Sequence, residues 1–148
     1  MAYNNASLTY KETRIKTASQ GQLLIMLYDE TLKQLNMALE LIGLNNSEKK
    51  DPGRIEQINK AIMKAEEIIT ELMVSLDFEQ GGDISQNLFA LYAWFNRELM
   101  EANITKDIDR LITVKDMLSD LRNTWSEIVN KHSSDTVKRE AVGLNIAG

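Results

Sequence analysis

Thr17-Ala18-Ser19-Gln20-Gly21-Gln22-Leu23-Leu24-Ile25-Met26-Leu27-Tyr28-Asp29-Glu30-Thr31-Leu32 opens a helix and carries more apolar side chains than one helical face can use. Ser19 with Gln22 forms a capping-box pattern at its start. Ile25, Tyr28, Leu32, Leu35, Leu39 and Ile42 recur three and four apart, the spacing of a single face. Gly43 is a natural stop, so the pattern predicts a helix over residues 20–43. At about 100° per residue, Leu23, Met26, Leu27, Met37, Leu41 and Leu44 fall on a second arc, broken by Glu30 and Gln34. Leu24, Thr31 and Ala38 border the main stripe, and Gln22, Asp29, Lys33, Asn36 and Glu40 are left to face water. An apolar surplus of this kind needs a second place to be buried.

Three more helices follow. Asp51-Pro52 reads as an N-cap with proline at the first helical position, and Ile55, Ile58, Ile62, Ala65, Ile69, Leu72 and Leu76 make a regular stripe over residues 52–76. Gly81-Gly82 is a strong breaker, with Asp83 and Gln86 as a cap signature behind it. A third helix over residues 84–103 would bury Ile84, Leu88, Leu91, Phe95, Leu99 and Ala102, leaving Phe89, Ala93 and Met100 off the stripe with Asn96 between them. A fourth over residues 106–131 would bury Ile108, Leu111, Val114, Leu118, Leu121, Trp125 and Ile128.

Short joints between amphipathic helices of similar length predict an all-α, antiparallel four-helix bundle. Residues 1–18 are expected to be an N-terminal arm or strap, residues 19–132 the bundle, and residues 133–148 a short, irregular, flexible C-terminal tail.

Composition narrows the function. Cysteine is absent, which removes disulfides and thiolate metal sites. The net charge of −5 without a basic stripe argues against nucleic acid and anionic membrane as partners. No apolar run is long enough to insert in a membrane, and Met1-Ala2-Tyr3-Asn4-Asn5 has no signal-peptide pattern, so the expected location is cytoplasmic. One histidine, His132, cannot supply a ferritin-like metal site, and it reads as a solvated residue at the end of helix four. Gly81-Gly82 lacks the strand and Gly-Lys-Ser/Thr ending of a phosphate loop. No catalytic residue, metal ligand or cofactor is assigned.

Four stretches resemble the FliS family of flagellar secretion chaperones. They are Thr17-Ala18-Ser19 with Leu23 to Asp29; Leu76-Asp77-Phe78-Glu79 with Gly81 to Ile84 and Asn87-Leu88; Leu91-Tyr92 with Leu99 to Asn103; and Leu118 to Leu121 with Thr124-Trp125. The likeness runs in unbroken order over about residues 8–130. Gln20-Gly21-Gln22 departs from the proline and acidic residues usual in the family, and the segment after His132 matches no family pattern.

The resemblance implies a helical bundle that binds the C-terminal segment of flagellin, keeps subunits from polymerising early, and supports delivery to a flagellar export gate component. The expected partner-binding residues are Leu23, Leu27, Tyr28, Leu88, Tyr92 and Phe95, with Tyr10 in the strap. Leu88 and Phe95 also lie on the main stripe of helix three, and either tyrosine reads equally as a core-edge residue with its hydroxyl in water. Two readings of the helix-one surplus stay open: a groove for a partner chain, or a second side covered by the N-terminal arm. Two rival functions stay open as well. One is a bundle enzyme of the chorismate-mutase type, using residues such as Arg97, Lys115 or Arg122; the other is a self-associating helical adaptor, a dimer at all concentrations through the second arc of helix one, and weak self-association is a separate expectation for the chaperone.

Overall fold

The computed structural model describes residues 20–47 and 51–147, apart from the side chains of 47 and 132–147. Four helices follow one another: α1 (Gln20–Ser47), α2 (Pro52–Val74), α3 (Phe78–Thr105) and α4 (Ile108–Ala147). No strand occurs among the described residues. The chain divides into two units, Leu27–Asp120 and the pair of segments Met1–Met26 and Leu121–Gly148.

In the larger unit the helices pack as a bundle because each carries one apolar face. On α2, Ile58, Ala61, Ile62, Ala65, Ile69 and Leu72 are buried, the three-and-four spacing read from the sequence. On α3 the buried residues are Ser85, Tyr92, Phe95, Leu99 and Ala102, and on α4 Leu111, Val114 and Leu118. Asp51 starts α2 by accepting from the Gly53 amide, with Pro52 inside the first turn as predicted. α2 and α3 run antiparallel, because Thr70 meets Asn96 while Asn59 meets Lys106. α4 turns back along α3 in the same way: Arg110 Nη1 donates to Glu98 Oε2 at 2.8 Å. The turn between them puts Lys106 in the left-handed region, and Asp107 Oδ1 accepts from the Asp109 amide to begin α4.

In the smaller unit, the first turn of α1 lies against α4. A Cβ at Gly21 would stand 2.6 Å from Cγ2 of Val129, so no larger residue fits without a shift. Gly21 belongs to the segment that departs from the family pattern, and here its lack of a side chain is what lets the two helices approach.

Several expectations need correction. α1 runs past Gly43 to Ser47, since an exposed glycine inside a helix costs only about 1 kcal/mol and the flanking residues carry the helix on. The burial axis of α1 is rotated toward the border residues: Tyr28, Thr31, Leu35, Ala38 and Ile42 are buried, while Ile25, Leu32 and Leu39 are half-buried. Thr31 and Ala38 are small, which lets a neighbour come close along their line. Ile55, Ile84 and Ile128 are exposed, not part of the core. The irregular tail is absent: α4 stays helical to Ala147, and His132 is inside the helix instead of at its end. Lys138, Arg139, Glu140 and Ala141 are good helix formers and no proline intervenes, so the helix persists.

Gly81-Gly82 interrupts α3 without starting it. The cap is Asp77, whose Oδ1 accepts from the Glu79 and Gln80 amides, each at 3.0 Å, six residues before the expected cap Asp83. One helical turn follows, and Gly82 then kinks the helix with φ 51°, ψ −125°. That conformation belongs almost to glycine alone. Gly81 is held to hydrogen by a different constraint, because its Cβ would overlap Ser85 Oγ, which donates to the Asp77 carbonyl at 2.8 Å. Gly82→Ala is expected to cost about 1–3 kcal/mol of stability. Urea unfolding measures this, and an unchanged midpoint would mean the kink relaxes freely.

Candidate functional site

The seam between α2 and α3 forms an open groove of about 700 Å³, lined by Met63, Glu66, Glu67, Thr70, Glu71, Asn96, Arg97 and Met100. Met63 is 53% exposed and Met100 50% exposed. Between them the floor is polar and tied together. Asn96 Nδ2 donates to Thr70 Oγ1 at 3.1 Å, and Thr70 Oγ1 donates to the Glu66 carbonyl at 2.9 Å. Asn96 Oδ1 is buried without a hydrogen-bond partner. Burial beside this floor pushes the Glu66 carboxyl above the usual carboxylate range.

Chemically the groove suits a polypeptide. Two thioethers offer polarizable, shape-tolerant contacts to apolar side chains, and a carboxylate rim with Arg97 at its edge can meet polar groups beside them. It does not present the converging acid and base groups of a catalytic pocket. Among the described residues no cluster of His, Asp and Glu is arranged to hold a metal ion, and no helix is long and apolar enough to cross a membrane. A shallower hollow of about 510 Å³ lies on the outer side of α1, lined by Asp29, Leu32, Lys33, Asn36, Met37 and Glu40.

The residues expected to contact a partner separate into two groups. Tyr28, Tyr92 and Phe95 are brought together, but inside the bundle. The two phenol oxygens share a hydrogen bond of 2.5 Å across helices α1 and α3, with ring centroids 6.5 Å apart. The Phe95 ring lies 6.4 Å from that of Tyr92. These three side chains are buried, where the sequence reading left them open between a partner groove and the core. The polar ends that read as water-facing satisfy each other instead. Burial, and after it the neighbouring Tyr28, push the Tyr92 hydroxyl far above the ordinary tyrosine range, so that phenol stays protonated. Leu27 and Leu88 are half-buried in the same unit, and Leu23 is half-buried in the other. Tyr10, the arm of residues 1–18 and the cap residue Ser19 lie outside the described residues.

A cycle of Tyr28→Phe, Tyr92→Phe and the double variant is expected to give a coupling of about 1 kcal/mol in unfolding free energy. Strictly additive single effects would show that the bond adds nothing to stability.

On the second arc of α1, Met37 and Leu44 are exposed and Leu23, Met26, Leu27 and Leu41 are half-buried. Gln34, expected to break that arc, is buried with its Nε2 donating to Glu30 Oε1 at 3.0 Å. The α2–α3 groove is the part that sequence reading missed. Met100 stood out on α3, but Met63, lying off the regular stripe of α2, was the matching signal on the other wall.

A family model described as "Flagellar protein FliS" matches residues 2–132. The curated "Flagellar secretion chaperone FliS" of Bacillus subtilis (strain 168) is 30% identical over 135 residues, covering 91% of this chain and 94% of that protein. The protein of the same name from Escherichia coli (strain K12) is 34% identical over 116 residues, covering 78% of this chain and 80% of its own. A solved structure described as "Crystal structure of flagellar chaperone from bacteria" aligns with a TM-score of 0.66 over 86% of this chain and 97% of that one. At 19% identity that likeness speaks for the fold. The family match ends at residue 132, where the sequence pattern also stops matching.

Proposed function

The chain belongs to the FliS family, and from that premise we propose that it is a cytoplasmic export chaperone. Its client is the C-terminal segment of flagellin, which it keeps from polymerising early and presents to the flagellar secretion apparatus. The observation that carries this reading is the methionine-walled groove between α2 and α3, an exposed seat of the size and chemistry that an amphipathic segment needs. Met37 and Leu44 on α1, Leu27 half-buried on the same helix, and Leu88 on α3 extend the apolar surface available to a long, wrapping client. Tyr28, Tyr92 and Phe95 serve it indirectly, by fixing how α1 and α3 stand within the bundle.

The mechanism is folding coupled to binding. A segment that is disordered when free orders itself on the bundle, covering its own apolar side chains and so removing the surface by which subunits would join. Ordering costs about 2–5 kcal/mol or more, offset by the buried area. Calorimetry of the full chain with a flagellin C-terminal peptide is expected to show saturable one-to-one binding with a negative heat-capacity change. Absence of binding at tens of micromolar would reject the reading. A dimer that persists at all concentrations with no peptide affinity would instead favour a self-associating adaptor.

A further inference from the structure

The closed end of the α2–α3 hairpin has features that the client groove does not use. Residues 65–96 contain six carboxylates and no lysine or arginine; Glu66, Glu67 and Glu71 line the groove, while Asp77, Glu79 and Asp83 lie at the tip. The chain as a whole has 17 Lys and Arg against 22 Asp and Glu, so the residues outside this stretch are close to neutral. Its negative charge is therefore concentrated on one hairpin. At the tip of that hairpin, over residues 74–89, apolar side chains stand in water. Val74 is 81% exposed and Ile84 67% exposed. Phe78 and Phe89 are also exposed, and their rings meet edge to face with centroids 5.9 Å apart. Asp77, Glu79 and Asp83 lie among them in the chain, and the Gly82 kink shapes the backbone there.

We infer that this tip is a second docking surface, for a protein segment in which apolar anchors are flanked by lysine or arginine. Charge decides the occupant. Two copies of the tip repel one another, and so do the tip and a nucleic acid or an anionic lipid surface. A cationic polypeptide is drawn to the carboxylates, and its apolar side chains then find Val74, Ile84 and the Phe78–Phe89 pair to cover. These tip residues are absent from the lining of the methionine groove. A partner held here leaves that groove open, so the chaperone could hold a client and a second protein together.

The test uses the full chain and two synthetic peptides with the same Leu and Ile positions, one flanked by lysines and the other by glutamates. Titration followed by amide chemical shifts is expected to perturb residues 74–89 with the lysine peptide and leave the spectrum unchanged with the glutamate peptide. Val74→Ser with Ile84→Ser is expected to weaken the lysine peptide about tenfold, with an unchanged melting temperature because both side chains are mostly in solvent. Raising ionic strength from about 0.05 M to about 0.3 M should weaken it further. Shifts confined to other residues, equal binding of the glutamate peptide, or unchanged affinity of the double variant would overturn the inference. So would a dimer that depends on Val74 and Ile84. Competition with a bound flagellin peptide would merge the two surfaces into one and overturn the claim of a second site, while leaving client binding itself established.

Discussion

Phe95→Ala is expected to lower the unfolding free energy by about 3–5 kcal/mol. The side chain is fully buried on the inner face of α3, one turn from Tyr92 and from Leu99. Its ring stands 6.4 Å from Tyr92 and 5.8 Å from Trp94, centroid to centroid. Truncation removes the ring's transfer energy and leaves a cavity that helices fixed on both sides cannot close. It also frees Tyr92, and with it the hydroxyl pair that joins α1 to α3. For a chain of this length each kcal/mol lowers the melting temperature by roughly 2–4 °C. Denaturant and thermal unfolding read the effect. A surface contact at this position would instead lower client affinity and leave stability untouched, and that result would contradict the core placement.

The second large effect is expected on binding. Met63→Glu together with Met100→Glu should raise the dissociation constant for the flagellin segment about 100-fold or more. Both thioethers stand on the walls of the α2–α3 groove, already rimmed by Glu66, Glu67 and Glu71. Two further carboxylates would be forced under an apolar segment, in a lining whose one basic residue is Arg97. Both positions are about half exposed, so the fold should hold. Calorimetry with a parallel melting curve separates the outcomes. Unchanged affinity in a folded double variant would move the client off this groove.

The helices were legible because burial repeats every three or four residues. The stripe of α2 from Ile58 to Leu72 is buried as its spacing implies, and Asp51-Pro52 caps it as its chemistry implies. Periodicity says less at the ends of a helix, where partner helices stop. Ile55 and Ile84 continue the pattern and still meet water. On α1 it named the right face but missed its centre, since Thr31 and Ala38 look too small or too polar to mark a core and are buried because they are small.

The site was less legible for two reasons. Tyr28 and Tyr92 are 64 residues apart, and only the folded chain shows their hydroxyls answering each other. A tyrosine with no visible partner reads as a surface residue, and its motif context could not correct that. The groove is a seam between α2 and α3, so neither helix displays it alone. Met63 and Met100 are each a modest irregularity in their own helix and become walls only when the hairpin closes.

The measurement closest to the central claim is a methyl spectrum of the methionines during titration with the flagellin C-terminal segment. Seven methionines give few and separable signals. The Met63 and Met100 methyls are expected to shift in proportion to occupancy and to reach a plateau at one equivalent. A titration that saturates by calorimetry while both methyls stay at their free positions would contradict a client seated between α2 and α3.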